Sequence, residues 1–284
     1  ARFYVRLFKI LGEKVRYRDM YKLNLELNFV NHILPSGGVS GISYFTVRMR
    51  AYGVSGPKST LSQLIKLLIL YISYQPILIL GVLLLAARGH VNNLVMVVAS
   101  SLITLLVVGT FGFIYMIESR SRIRTFLTAL TKIINKILSP FRRKPETINI
   151  EGAQNAFNEL HDNYQLLKEN WRDLKIPFLY LLVANATEVA AVYVVYIAFD
   201  RLVNVGAVIL AYAVANFAGL ISVLPAGIGV YEGLMTAVLV ATGIPAGLSI
   251  PVTIMYRVVN MAIQLTPGYY FYQKALRAGL DRAR

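Results

Sequence analysis

A ten-residue stretch near the C-terminus, Leu224-Pro225-Ala226-Gly227-Ile228-Gly229-Val230-Tyr231-Glu232-Gly233, interrupts a long apolar region and limits what this chain can fold into. Proline lacks a backbone donor and clashes with the preceding turn, so a helix arriving from Val205 is expected to stop or kink here. Gly227 and Gly229 permit positive φ. Glu232 is a carboxylate deep in apolar sequence. Within lipid, broken backbone survives only where protein covers it or where it lines a polar cavity, and an ionisable side chain at that depth points to function.

A second break, Leu34-Pro35-Ser36-Gly37-Gly38, lies near the other end. Aligning Pro35 with Pro225 sets an offset of 190 residues, and residues 34–59 then share seven identities with their counterparts, including Gly37 with Gly227, Gly53 with Gly243 and Ser59 with Ser249. An internal repeat is expected.

The apolar content settles the class. Of 284 residues, 56% are hydrophobic and 15% charged, with mean hydropathy +0.57. Apolar residues come in runs of bilayer length, so the expected fold is all-α, a polytopic helical membrane protein. Residues 61–87, 93–117, 177–199 and 248–273 read as spanning helices. Residues 205–224 and 227–243 read as the arms of the second break, and residues 23–53 as the first interrupted region, re-entrant or cavity-facing. Cysteine is absent, which excludes disulfides and thiolate metal sites. The net charge of +15 could suggest nucleic acid, but the basic residues flank apolar spans, where the positive-inside rule puts them.

Three basic stretches therefore read as cytoplasmic: residues 1–22, the segment 118–176 and the C-terminal tail. The N-terminal stretch is read as a flank, with a basic helix on anionic lipid as the alternative. Residues 118–146 form a basic amphipathic pattern. In residues 151–175, Phe157, Leu160, Tyr164, Leu167, Trp171 and Leu174 form one stripe, expected to pack on that basic helix. Residues 1–117 and 177–284 then become two membrane repeats joined by cytoplasmic helices. Three crossings separate the breaks if both are re-entrant, five if their arms span. Either number is odd, so the repeats are inverted.

Inverted repeats with broken helices recur in secondary transporters, where the breaks expose helix ends suited to phosphate or carboxylate. Glu232 and Arg257 are the strongest intramembrane charges near the second break. They pair with each other, or serve as proton carrier and anion contact. Asn31 and His32 hold helices together or touch a head group. Glu188 reads equally as a structural partner of Arg257 or Lys175 and as a transport residue.

The Pro-x-Gly-x-Gly-x-x-Glu element, with Gly243 and Arg257 after it, resembles the transmembrane region of lysylphosphatidylglycerol synthases, a flippase-like family with stand-alone members. Asn31, Pro35, Ser36, Gly37 and Gly38 are similar to that family's N-terminal motif. The resemblance covers most of the chain and implies translocation of an anionic, aminoacylated or polyprenyl-linked lipid, with no enzymatic step and no cofactor. It implies Glu232 and Arg257 as substrate contacts, with Asn31, Pro35, Ser36, Gly37, Gly38, Pro225, Gly227 and Gly229 shaping the site; Asn260, on the same helix as Arg257, is expected to join them. Ile42 stands where the second repeat has Glu232, so any carboxylate role is one-sided. The expected partners are a membrane phospholipid or lipid-linked substrate, an anionic lipid surface for the basic stretches and, under the scaffold alternative below, a cell-envelope enzyme; the expected location is the cell membrane. One or two further helices are expected before Ala1. The alternatives are a membrane glycosyltransferase using polyprenyl-phosphate sugars, for which the outer loops offer only Asp200, and a non-transporting scaffold for a cell-envelope enzyme.

Overall fold

The computed structural model describes residues 1–34, 39–87, 93–122, 125, 150–221 and 224–280. Among them the regular elements are all helical: α1 (Arg2–Ile10), α2 (Tyr17–Ile33), α3 (Val39–Arg50), α4 (Gly56–Ala87), α5 (Asn93–Ile117), α6 (Ile150–Glu169), α7 (Lys175–Ala198), α8 (Val205–Ile221), α9 (Val230–Ala241) and α10 (Ala246–Leu280). Short 3-10 turns occupy Trp171–Leu174 and Pro225–Gly227. Most of the expected basic helix 118–146, and the break residues Pro35, Ser36, Gly37 and Gly38, lie outside the described residues.

Among the described residues, four helical stretches are long and apolar enough to cross a membrane: Gly56–Ala87, Asn93–Ile117, Trp171–Ala198 and Ala246–Ala278. Only 22–28% of the most apolar window of each is buried inside the protein. Such a surface, with Leu83, Phe111, Val194 and Ile263 exposed, is matched to hydrocarbon and not to water. The chain is a polytopic integral membrane protein, and its spans fall where the apolar runs put them.

The remaining apolar helices are too short to span. At 1.5 Å per residue, α8 is roughly 26 Å long and α9 roughly 18 Å, against about 30 Å of hydrocarbon. They fold back on each other as an antiparallel hairpin. Near the tip, a Cβ on Gly227 would sit 3.0 Å from the Gly219 Cα, and Asn216 Nδ2 reaches the Tyr231 hydroxyl at 3.5 Å. Helices α2 and α3 form a corresponding hairpin. Asn31 lies against Gly41, and Glu26 meets Tyr44 and Arg48 farther from the tip.

The two hairpins open toward opposite ends of the bundle. One end gathers α1, α6, the start of α4 and the start of α7, and it carries the basic residues. Hairpin α2–α3 opens there, because α2 packs on α1 and α3 leads into α4. Hairpin α8–α9 opens at the far end, where Asn204 Nδ2 donates to the Leu84 carbonyl at 3.3 Å. From there α8 runs back along α4. Gly206 and Ile209 lie against Gly81, the Tyr74 hydroxyl donates to the Ile209 carbonyl at 2.9 Å, and Tyr71 meets Phe217. The two hairpins meet inside, since α2 also touches the Pro225–Gly227 turn.

Packing between the halves is reciprocal. The long helix of the first half, α4, holds α8 of the second; α10 holds α2. Glycine makes each approach close. Gly206 sits on the Gly81 carbonyl, while a Cβ on Gly268 would be 2.7 Å from the Leu25 carbonyl. Phe29 is ringed by Tyr269 and Tyr272 at 5.6 and 5.2 Å. The 190-residue offset also carries structure: α4 begins at Gly56 and α10 at Ala246, Gly53 and Gly243 both have positive φ (78° and 91°), and Ser59 and Ser249 are both fully buried.

At the basic end, helix α1 turns its apolar face to protein and not to lipid, as a flank packed on the bundle. Phe3, Tyr4, Leu7 and Phe8 are buried in protein against α2, α4 and α7, with the Tyr4 hydroxyl donating to Gln63 Oε1 at 3.0 Å. The stripe on α6 meets α4 and the end of α5: Leu160 and Leu167 are buried, and His161 Nδ1 lies 3.1 Å from the Ile117 carbonyl, while its expected packing on the basic helix lies outside the described residues. Trp171 is left exposed past the helix end. Lys168 bonds Glu118 and holds that carboxyl below the usual carboxylate range, while its own ammonium is raised in turn. Both groups are fully exposed, so this pair orients α6 more than it stabilises it.

Candidate functional site

The second break is a backbone device built around one arginine. Ala226, Gly227 and Gly229 have φ of 51°, 64° and 85°, so the chain turns through the left-handed region between α8 and α9. For Ala226 that conformation is strained by about 1–2 kcal/mol, because its Cβ crowds the following carbonyl. Arg257, on α10, answers the strain by donating from Nη2 to the Ala226 carbonyl at 2.7 Å. Its Nε pairs with Glu232 Oε1 at 2.7 Å, and its guanidinium lies over the Tyr231 ring, 4.3 Å from the centroid. The other carboxylate oxygen of Glu232 accepts the Gly229 N–H at 2.7 Å and so caps α9.

Glu232 thus occupies the seat that the Pro-Gly break prepares for an anion, at a helix N-terminus and beside a guanidinium. Of the two alternatives left by the sequence, Glu232 and Arg257 pair. Their side chains are 24% and 12% exposed, so the pair is open on one side without being a surface contact.

Glu188 has different partners from those expected. Among the described residues no cation pairs with it. Instead its Oε2 accepts from the Tyr256 hydroxyl at 2.9 Å and from Asn260 Nδ2 at 3.1 Å. Asn260 Oδ1 accepts in turn from Gln264. Tyr256 precedes Arg257 on α10, and Tyr231, whose ring lies under the Arg257 guanidinium, accepts from Asn216 Nδ2 at 3.5 Å. A polar cluster of Glu188, Tyr256, Asn260 and Gln264 therefore lies between α7 and α10 beside the second tip. Asn260 belongs to this cluster and not to the Arg257 cradle.

At the first break only Asn31 of the expected site residues is described, and it packs on Gly41 of its own hairpin. His32 Nδ1 lies 2.7 Å from the Asn28 carbonyl, and the ring is close enough to feel the charge of Arg257. The buried carboxylate of this hairpin is Glu26, one turn and more from the tip, with its side chain 5% exposed. It accepts from Tyr44 at 2.7 Å and Arg48 at 3.0 Å. Each hairpin thus has its own carboxylate–guanidinium pair. Glu26 with Arg48 ties two arms together, whereas Glu232 with Arg257 ties a tip to a spanning helix. Tyr231 and Tyr256 were not singled out by sequence; their positions directly before Glu232 and Arg257 were the available signal.

Spanning helices around two opposed, Pro/Gly-broken hairpins, with an ion pair at one tip, define a polytopic membrane protein with an intramembrane polar site. The profile of the lysylphosphatidylglycerol synthase TM region matches residues 3–268, and the chain belongs to that family. Its relatives include UPF0104 membrane proteins of three archaea. That of Methanothermobacter thermautotrophicus is 26% identical over 49% of this chain and 43% of its own length. The Pyrococcus horikoshii protein is 22% identical over 84% of this chain and 72% of its own, and the Methanocaldococcus jannaschii protein 21% over 93% and 76%. The chain thus matches less than half of the first relative's length. No solved structure matches it.

Proposed function

We propose that the protein carries the polar head group of a membrane lipid between leaflets, past the point where the two hairpins meet. The observation that carries this reading is the seat of Glu232. A guanidinium exposed to hydrocarbon is expensive, and a resident carboxylate keeps Arg257 neutralised while the site is empty. The phosphate of an anionic, aminoacylated or polyprenyl-linked lipid has the same acceptor chemistry. It can replace Glu232 on Arg257 and on the Gly229 N–H, while the acyl chains stay in the bilayer.

The opposed hairpins give the path its two mouths. Each tip is reached from its own end, and their element order matches at the 190-residue offset. We read them as inverted repeats, which supply the two states of alternating access by small reciprocal shifts against α4 and α10. The basic end, with Arg6, Lys9, Lys58, Arg172 and Lys175, is read as cytoplasmic. No group-transfer step is assigned to the site.

The test is movement of fluorescent phosphatidylglycerol in proteoliposomes. Arg257→Lys keeps the charge but loses the two-pronged contact to Glu232 and Ala226, and should slow movement by about tenfold with folding retained. Well-folded wild type that moves neither phosphatidylglycerol, nor its lysyl ester, nor a polyprenyl phosphate would overturn the reading.

A further inference from the structure

We propose that Glu188 takes up and releases a proton as a head group enters and leaves, so that lipid movement is driven by a proton gradient. This rests on the transport reading above.

The first argument is charge. The titratable groups gathered around the second tip are Arg257, Glu232, His32 from α2 and, through Tyr256, Glu188: with the imidazole neutral, two carboxylates stand against one guanidinium. A phosphate that displaces Glu232 from Arg257 adds another negative charge to a site surrounded by hydrocarbon. Coulomb repulsion is weakly screened there, so the site must take up positive charge as the anion arrives. One proton per head group, bound from water on one side and released on the other, cancels it.

The second argument is where that proton can sit. Glu232 is held by Arg257 and by the Gly229 N–H, both favouring the ionised form, so it is not the group that loads a proton before the phosphate arrives. Glu188 has only uncharged partners. It stands thirteen residues into α7 from Lys175 and ten before Ala198, close to the middle of the span. The groups facing it are Tyr256 and Asn260 from α10, Tyr212 from α8 and Tyr231 from α9. Helix α4 meets α7 at Asn185, through the Leu70 carbonyl and Ser73 Oγ, and brings no charge there. Helix α1 and the Trp171–Leu174 turn bring Arg6, Lys9, Arg172 and Asp173, but at the start of α7, roughly 20 Å away along the helix.

The donors suit a proton better than a metal cation. Sodium wants several oxygens turned toward it, as hard cations do. Around Glu188 an O–H and an N–H point at the carboxylate, and Asn260 Oδ1 is taken by Gln264. That arrangement suits a group that alternates between accepting two hydrogen bonds and donating one. When Glu188 is protonated, the Tyr256 hydroxyl no longer has a charged acceptor and can turn toward Tyr231, whose ring lies under Arg257. The proton is thereby sensed at the tip.

Two measurements test this separately from the transport reading. Infrared difference spectra of the purified protein between pH 5 and pH 8 should show a carboxylic C=O band that Glu188→Gln removes and Tyr256→Phe shifts. A spectrum with no such band overturns the proposal whatever the protein transports. In proteoliposomes with NBD-labelled phosphatidylglycerol, a gradient of one pH unit should shift the steady-state leaflet ratio by about tenfold if one proton accompanies each lipid. Glu188→Gln should leave a ratio indifferent to the gradient. Wild type that moves the lipid with a ratio indifferent to pH overturns the coupling and leaves transport standing. Protein that moves no lipid overturns both.

Discussion

Arg257→Ala should cost the protein about 3–5 kcal/mol, the expected penalty for stranding one partner of a buried ion pair. Truncation removes the ion pair to Glu232, the bond to the Ala226 carbonyl and the stack on Tyr231 together. Glu232 keeps only the Gly229 N–H, and the strained Ala226 turn loses the group that holds it. The midpoint of thermal unfolding in detergent reads the loss. A double variant, Glu232→Gln with Arg257→Ala, should recover part of it, because no stranded charge remains. Equal losses in the single and the double variant would mean that the pair is not coupled as described.

Gly206→Val should be as damaging, for a steric reason. A Cβ at Gly206 would lie 2.2 Å from the Gly81 carbonyl and 3.0 Å from the Leu85 amide nitrogen, both backbone atoms of α4. Neither can move without moving the helix, so α8 must lift off its track. Overpacking usually costs 1–3 kcal/mol, and about 3 kcal/mol or more is expected here because no rotamer relieves it. Two companion substitutions set the scale. Gly81→Ala meets Ile209 at Cγ2 and Cβ, 2.7 and 2.9 Å away, and should also destabilise, but less than Gly206→Val because it meets a side chain and not the helix backbone. Gly219→Ala makes an ordinary contact with Tyr231 at 3.6 Å and should be tolerated. If Gly206→Val were no worse than Gly219→Ala in detergent stability, the packing of α8 on α4 would be wrong.

Much of this architecture is legible in the sequence because a bilayer imposes length. The span 93–117 is found to the residue, and the other three begin a few residues earlier than read, since polar first turns such as Gly56–Ser59 continue the helix toward water. Pro225 and the glycines after it fix the second break for reasons of backbone chemistry alone. Side-chain partners were less legible. Charge suggested Arg257 or Lys175 for Glu188, but rotation about α7 and α10 gives it Tyr256 and Asn260 instead. The partners of helix α1 were hidden for a related reason. Its basic residues and helical apolar spacing suit a membrane surface and a protein surface equally, and only the folded chain shows that Tyr4 and Phe8 stack on Phe45 at 4.9 and 6.3 Å. The glycines that seat α8 on α4 and α10 on α2 gave no local signal, because close approach is a property of two segments at once.

The direct test of the opposed hairpins is sided thiol labelling, for which the chain is naturally cysteine-free. Tyr52→Cys marks the open end of α2–α3, and Leu202→Cys, 83% exposed, the open end of α8–α9. Trp171→Cys marks the basic end independently. With a membrane-impermeant maleimide on oriented vesicles, Tyr52→Cys and Trp171→Cys should react from one side only, and Leu202→Cys only from the other. Reaction of Tyr52→Cys and Leu202→Cys from the same side would contradict opposed entry of the hairpins, and with it the path proposed for the lipid.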